Sequence, residues 1–437
     1  MGISASSSKS EGRCSISEPM PSKRGEQGEV RAVGRGGDAV VETSNGVVLM
    51  PGGLPGERVE LMLTGSKRGA ARGRLMRVLE PAAGRRGPAC ADAARCGGCP
   101  LMIASPELQR EIKQRFLADA CREMPGAADT EIEWVDSPAK LGYRRRARLA
   151  WHRDTIGYRQ LHSKRVTPIG ECIVLVEPLR EAWDALRAHL APSLRGGGEI
   201  QIQLTDAKRV VVDLRADDDQ RPELFDACER LCELPLVAGV TLRTSGERHA
   251  ASWGETGVAI QAGAHGLLEG PGDAFSQAND RVNEKLIEAV VRLAEPQGMR
   301  VLELHCGIGN FTVGLAEQAR ALVAVERDPL AVDACQRNLK RLGLKARVTV
   351  GDANQPPKGR YDVVVLDPPR QGAKALFEGG SVLPGPKRLV YVSCDTATLA
   401  RDLRLATAKG YHIDRLIGFD MFPQTAHLES LVRLVRD

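Results

Sequence analysis

Residues 301–316 read VLELHCGIGNFTVGLA. An apolar run, Val301 to Leu304 with Glu303 inside it, stops at a turn built on Gly307 and Gly309, and a helical pattern follows Asn310. Glycines at those positions let the backbone turn sharply and come close to a ligand. The third glycine, Gly314, falls too late for the dinucleotide spacing G-x-G-x-x-G, so the turn belongs to another nucleoside-binding pattern.

Working outward, the next strand, ALVAVE, ends on Glu326. A carboxylate there can accept hydrogen bonds from both hydroxyls of a ribose. VTVGDAN sets Asp352 after a third strand, where an adenine would lie, and VVVLDPPR sets Asp367 after a fourth. Pro368 and Pro369 stiffen the loop that carries Asp367. An acid that ends a strand is ordinarily just solvated, but a glycine turn and three acids at successive strand ends point together to a nucleoside cofactor. S-adenosylmethionine fits better than a nucleotide triphosphate: it has no phosphates to cradle, and the chain contains no G-x-x-x-x-G-K-[ST] loop.

The alternation of helix and strand from about residue 280 onward predicts a doubly wound, mostly parallel α/β sheet over residues 266–437. Its fifth strand, in LVYVSCDTATLARDL (389–403), ends on Cys394, with leucines at helical spacing behind it. A lone buried cysteine is usually a packing residue. At the ligand edge of such a sheet it becomes a candidate nucleophile.

Upstream, residues 29–86 hold short β-like runs broken by Asn45-Gly46, Pro51-Gly52-Gly53 and Pro55-Gly56, which predicts a small β-barrel of oligonucleotide-binding type. Residues 87–265 read as a mixed α/β region, with a helix from Pro106 capped by Ser105 and a basic hairpin in RRRARLAWHRDTIGYRQ. Residues 1–28, polar and rich in Ser, Gly and Lys, predict a disordered tail.

The 437 residues, 42% hydrophobic and 27% charged, suffice for two or three packed domains. No stretch of 18 apolar residues exists, which predicts no membrane span, a cytoplasmic location and a monomer. The net charge of +5 is mild, but Lys67, Arg68, Arg72, Arg74, Arg77, Arg85 and Arg86 crowd one segment, and Arg144, Arg145, Arg146 and Arg148 another. Such clusters can neutralise phosphates, although taken alone a run of this kind is more often a solvated face than a nucleic-acid site. Aromatic residues make up only 4%, leaving Phe275 and then Tyr143 as candidate stacking platforms. Of eleven cysteines, Cys90, Cys96, Cys99 and Cys172 form a four-thiol set. By spacing alone it suits zinc or a [4Fe–4S] cluster equally.

YDVVVLDPPRQGA, LVYVSCDTATLARDL and GFDMFPQTAHLESLVRL, in that order behind LELHCGIGNFTVGLA, with GPGDAFSQAND upstream, resemble the RNA uracil-5-methyltransferase family. The amino-terminal segment is similar to the TRAM module of its 23S ribosomal RNA members. The resemblance implies a class I methyltransferase sheet and transfer of a methyl group from S-adenosylmethionine to carbon-5 of a uridine in RNA, 23S rRNA first. It assigns Gln277, Asn310, Glu326 and Asp367 to the methyl donor, Cys394 as nucleophile and Glu429 as base. It also favours [4Fe–4S] over zinc on the four thiols. His305 stands where the family usually carries Phe or Tyr, with a ring that can still pack on the donor. Transfer RNA as substrate, and an RNA-binding factor with an inactive methyltransferase domain, are the alternatives.

Overall fold

The computed structural model describes residues 25–67, 69–205, 208–245, 250–379 and 385–436. Most of the expected amino-terminal tail, Cys14 and Arg68 lie outside the described residues. The chain divides into two compact units, residues 25–33 with 38–82, and residues 34–37 with 83–436.

The first unit is a closed barrel of β1 (Glu26–Val33), β2 (Asp38–Thr43), β3 (Gly46–Pro51), β4 (Arg58–Lys67) and β5 (Ala70–Glu80), in the order β1-β2-β3-β5-β4. Alternate residues point inward, so Val30, Ala39, Val41, Val48, Met50, Val59 and Leu61 fill its core. The β2–β3 hairpin turns through Ser44-Asn45, one residue ahead of the expected Asn45-Gly46, and Gly46 opens β3 at φ 119°. Arg72 pairs with Asp38 and Arg58 with Glu80, so part of the barrel's positive charge is already matched within the unit.

The second unit opens with α1 (Pro106–Cys121) and β6 (Ile132–Val135). A seven-stranded sheet follows, built from β7 (Arg146–His152), β8 (Thr155–Arg159), β9 (Val166–Thr167), β10 (Gly197–Leu204), β11 (Val210–Ala216), β12 (Val237–Arg243) and β13 (Ala251–Gly254). Helices α2 (Glu177–His189) and α3 (Pro222–Cys232) bury Trp183, Leu186, Leu224 and Leu231 against Ile200, Val212 and Val240 of that sheet. β14 (Gly257–Gln261) and β15 (Leu267–Pro271) then pair with each other.

The remaining helices are α4 (Asp280–Ala294), α5 (Thr312–Ala316), α6 (Pro329–Arg341), α7 (Lys374–Gly379) and α8 (Thr396–Thr407). Between and after them run β16 (Arg300–Leu304), β17 (Ala321–Glu326), β18 (Arg347–Val350), β19 (Val363–Leu366), β20 (Arg388–Ser393), β21 (His412–Phe419) and β22 (Glu429–Val435). With β6 they form one sheet, ordered β18-β17-β16-β19-β20-β22-β21-β6. β16 to β20 run parallel, and VVVL and LVYV are continuous hydrophobic runs because both of their faces are covered. β22 enters antiparallel between β20 and β21. β6, which lies in the stretch read as the central region, pairs with β21 and extends this sheet. The helix expected over NFTVGLAEQA is only five residues long, because Ala319 leaves it to bridge Gln297.

Helix α1 packs beside this sheet and buries Gln109 and Lys113 on the face that also carries Ile112 and Phe116. Lys113 donates to Asp420 Oδ1 at 2.7 Å and to the Phe422 carbonyl at 2.9 Å, while Lys140 reaches Asp420 Oδ2 at 2.9 Å. Burial pushes the Lys113 ammonium down from its ordinary range. Burial alone would raise Asp420, but the two lysines outweigh it and hold that carboxyl low. Asp420 therefore contributes stability above the usual carboxylate range, and that stability is lost as pH falls through its depressed pKa. Lys113→Ala, which leaves a buried carboxylate half-paired, is expected to cost about 3–5 kcal/mol in chemical denaturation. A loss below about 1 kcal/mol would show that Lys140 alone satisfies Asp420.

Candidate active site

The parallel strands bring their carboxyl ends to one edge, which is where open α/β sheets bind ligands. Leu304 of β16 is paired with Val325 of β17 and Leu366 of β19, and Leu366 with Tyr391 of β20. The glycine turn, Glu326, Asp367 and Cys394 therefore share that edge. His305 opens the turn in a left-handed conformation, φ 66°, and its N–H donates to the Val325 carbonyl at 2.9 Å. Burial holds its imidazole neutral by lowering its pKa. Gly307 follows at φ 55°, and a Cβ placed on it would meet nothing within 4 Å. The backbone there faces open space of the kind a ligand would fill.

Glu326 accepts the Gly307 N–H on Oε2 at 3.2 Å and the N–H groups of Arg327 and Asp328 on Oε1 at 2.7 and 3.0 Å. Those bonds fix the carboxylate beside the turn. Asp352 is exposed beyond β18, with Oδ1 held by the backbone and side chain of Asn354. Asn310 exchanges two amide bonds with Asn283 of α4, at 3.0 and 3.1 Å. That pairing sets the start of α4, and the loop carrying Gln277 before it, beside the turn. Gln277 is 6% exposed and its Oε1 has no hydrogen-bond partner. A buried orphan acceptor is costly unless something occupies it, and the amine of a ligand would. Asn279, in the same loop, instead caps α4 and ties it to Ser137.

Cys394 and Glu429 are brought together by strand register. Ser393 of β20 is opposite Ser430 of β22 in an antiparallel pair, so the residue after one faces the residue before the other. Ser430 Oγ clamps this register by donating to the Ser393 carbonyl at 2.9 Å. Asp395 caps α8 immediately behind the thiol, accepting the N–H groups of Ala397 and Thr398 at 2.9 Å. Burial raises the Cys394 thiol to about 12, aided by Glu429 and Asp367, with Arg370 pulling the other way. Burial also raises Asp367 to about 7. Glu429 lies well above the carboxylate range through burial and the Asp367 charge, again opposed by Arg370. A small cavity of about 70 Å³ opens beside the thiol, bounded by Arg370, Cys394, Asp395, Thr396 and His427.

Away from this edge, Asp92 accepts the Gly170 N–H at 2.8 Å and so holds the loop of Cys90, Cys96 and Cys99 against the segment carrying Cys172. Gly97 is needed there, since a Cβ would stand 2.6 Å from the Leu161 backbone nitrogen. Burial, and the neighbouring thiols, raise Cys99 to about 12. Among the described residues, no group of three or more His, Cys, Asp or Glu side chains is arranged to hold a metal ion. Of the basic hairpin, Arg145 points inward and binds Asp280 through two bonds of 2.8 Å, while Arg148 is exposed. Phe275 is 69% exposed, with the Arg146 guanidinium 5.3 Å from its ring centre. Tyr143 is buried, its hydroxyl donating to the Pro423 carbonyl, so it is core.

Asn283, Arg370 and His427 were not singled out by sequence reasoning. Only their closeness to the GPGDAFSQAND, DPPR and AHLES segments could have drawn attention to them.

The family described as tRNA (Uracil-5-)-methyltransferase matches residues 263–346 and 358–437. A 23S rRNA (uracil(1939)-C(5))-methyltransferase RlmD of Pseudomonas entomophila is 36% identical over 403 residues, 87% of either chain. The protein of that name from Alkalilimnicola ehrlichii is 33% identical over 432 residues, 92% of this chain and 94% of its own. The crystal structure of Pyrococcus abyssi tRNA (uracil-54, C5)-methyltransferase in complex with S-adenosyl-L-homocysteine shares the fold with a TM-score of 0.71. It is 21% identical and covers 94% of this chain and 100% of its own. The chain that forms this sheet edge is thus matched over most of its length by relatives of one name, and the protein belongs to the RNA uracil-C5-methyltransferase family.

Proposed function

We propose that the chain transfers a methyl group from S-adenosylmethionine to carbon-5 of a uridine in 23S rRNA, the one equivalent to that named for its relatives. The observation that carries this reading is the register that sets Cys394 across from Glu429 at the ligand edge. Gln277, Asn310, Glu326, Asp352 and Asp367, with the His305 ring, would line the methyl-donor site. The orphaned Gln277 oxygen and the open space over Gly307 support that assignment.

Carbon-5 of uracil is too poor a nucleophile to take a methyl group unaided. Cys394 loses its proton to solvent, and its sulfur bonds to carbon-6 while the C5=C6 electron pair moves into an enolate. Carbon-5 then takes the methyl group, and the donor leaves as the neutral sulfide. Glu429 removes the proton left on carbon-5, the double bond re-forms, and the Cys394–carbon-6 bond breaks to return the thiolate. Glu429 passes its proton to water. A base whose pKa lies above the usual carboxylate range suits this task near neutral pH.

Cys394→Ala is expected to abolish methylation while leaving the methyl donor bound, as read by calorimetry. Glu429→Gln should slow turnover about 10²–10⁴-fold and accumulate a protein–RNA species that survives denaturing electrophoresis. Substantial turnover by the Ala variant would rule out the covalent route.

Burial disfavours the charges of Asp367 and Glu429, and a sulfonium beside them would favour those charges. Asp367, held at about 7, gains its charge as pH rises through that value. Affinity for S-adenosylmethionine should therefore increase between about pH 6 and 8, whereas S-adenosylhomocysteine, a neutral sulfide, should bind without that slope. Asp367→Asn should flatten the slope, and equal slopes for the two ligands would contradict this electrostatic reading.

The four thiols Cys90, Cys96, Cys99 and Cys172 would hold a [4Fe–4S] cluster. Their chemistry fits: Cys96, Cys99 and Cys172, half-buried thiols raised first by burial and then by neighbouring thiols, keep their protons unless a cationic centre displaces them. When bound, the cluster would brace the loops and take no part in methyl transfer. Anaerobically purified protein is expected to carry about four irons and a visible absorption band, both lost on Cys99→Ser. Stoichiometric zinc would overturn the assignment.

A further inference from the structure

Chemistry at carbon-5 and carbon-6 uses one edge of a pyrimidine. The opposite edge separates uracil from cytosine: uracil offers N3–H and the O4 acceptor, cytosine a bare N3 and an amine donor. Among the side chains that bound the small cavity beside Cys394 and that the reaction above leaves unused are His427, Arg370 and Arg35. His427 stands two residues before Glu429, so the chain that delivers the base also delivers this ring. Its backbone N–H donates to Thr425 Oγ1 at 3.1 Å, and the ring packs edge-on to Phe422 with centroids 6.0 Å apart. Neither contact uses a ring nitrogen, and both nitrogens are without a hydrogen-bond partner among the described residues.

His427 is exposed and lines the cavity beside the thiol. Burial, with Arg370, Arg144 and Lys113 nearby, lowers its pKa, and Asp395 is the opposing charge. A neutral imidazole keeps one bare nitrogen as an acceptor, which an imidazolium lacks. Arg370 is exposed at the cavity and makes no hydrogen bond or ion pair among the described residues, so its donors are available to a ligand.

Resting on the methyl-transfer reading, we propose that His427 and Arg370 form the wall that reads the target base, a ring nitrogen of His427 accepting N3–H of uracil and Arg370 donating to O4. O4 is also where negative charge collects when sulfur adds to carbon-6, so the Arg370 bond strengthens in the transition state. Cytosine fails at carbon-4, where it presents an amine in place of O4. Histidine can move its ring proton to meet a bare N3, but a guanidinium has no acceptor for the amine on carbon-4.

The test uses the full protein and three RNAs carrying uridine, cytidine or N3-methyluridine at the target position. Methylation of the uridine RNA by the unaltered protein checks the underlying reading. If that fails, or persists in Cys394→Ala, the reading falls and not merely this inference. The unaltered protein should lose about 10²-fold or more on N3-methyluridine. His427→Ala should lose a similar factor on uridine yet treat uridine and N3-methyluridine alike. His427→Gln, whose amide oxygen can accept, should recover part of the uridine rate and of the sensitivity to the N3 methyl. Arg370→Gln should slow the uridine reaction about 10²–10³-fold and reduce the preference for uridine over cytidine, with the methyl donor still bound. His427 variants that remain as sensitive to the N3 methyl as the unaltered protein, or Arg370→Gln with an unchanged preference for uridine, would overturn the assignment.

Discussion

One hydrogen bond holds the reactive groups in place. Ser430 Oγ reaches the Ser393 carbonyl at 2.9 Å, between the two residues that precede Cys394 and follow Glu429. A one-residue slip of β22 against β20 would turn Glu429 to the other face of the sheet. The strand is pinned from its other side as well, by pairing with β21 and by Arg433, which binds Asp414 and Glu295. Ahead of it, the 420–427 segment is fastened by Lys113, Gln109 and Tyr143. Gln424 in that segment takes φ 70°, a left-handed backbone that its bonds to Gln109 and Lys140 hold in place.

Burial at this edge disfavours charge of either sign, lowering the imidazoles of His305 and His427 as it raises the acids and the thiol. Glu303, Asp367, Glu429 and Cys394 are all pushed up, first of all by burial. The raised acids and thiol would be relieved by a nearby cation, and the donor's sulfonium would add to the Arg370 guanidinium that already opposes the shifts of Cys394 and Glu429. Both would draw the thiol toward the ionised form it needs. The helix α8 adds less than its position suggests, because Asp395 already satisfies its first N–H groups.

The parallel strands and their terminal residues were legible in the sequence because apolar runs ending in Gly, Glu, Asp and Cys are local signals. The barrel was legible for a similar reason, its turns being written in Asn-Gly and Pro-Gly. Position β6 was not: IEWV is short and only partly buried, and its partner β21 lies nearly 300 residues downstream. The same distance hid Lys113 and Gln109, polar residues that break the apolar face of α1 for the sake of Asp420 and Gln424. His427 was hidden by its own ordinariness, since a histidine beside a strand carries no spacing signal. Tyr143 resembled a stacking platform among the arginines until its hydroxyl was found on the Pro423 carbonyl.

The account stands on sulfur from Cys394 bonding to the target pyrimidine. Placing 5-fluorouridine at the target position would halt the reaction after methyl transfer, because no proton remains on carbon-5 for Glu429 to take. Peptide mass spectrometry of that stalled complex is predicted to find the methylated fluoronucleotide on the peptide containing Cys394. An unmodified Cys394, or the nucleotide attached to another side chain, would contradict the account.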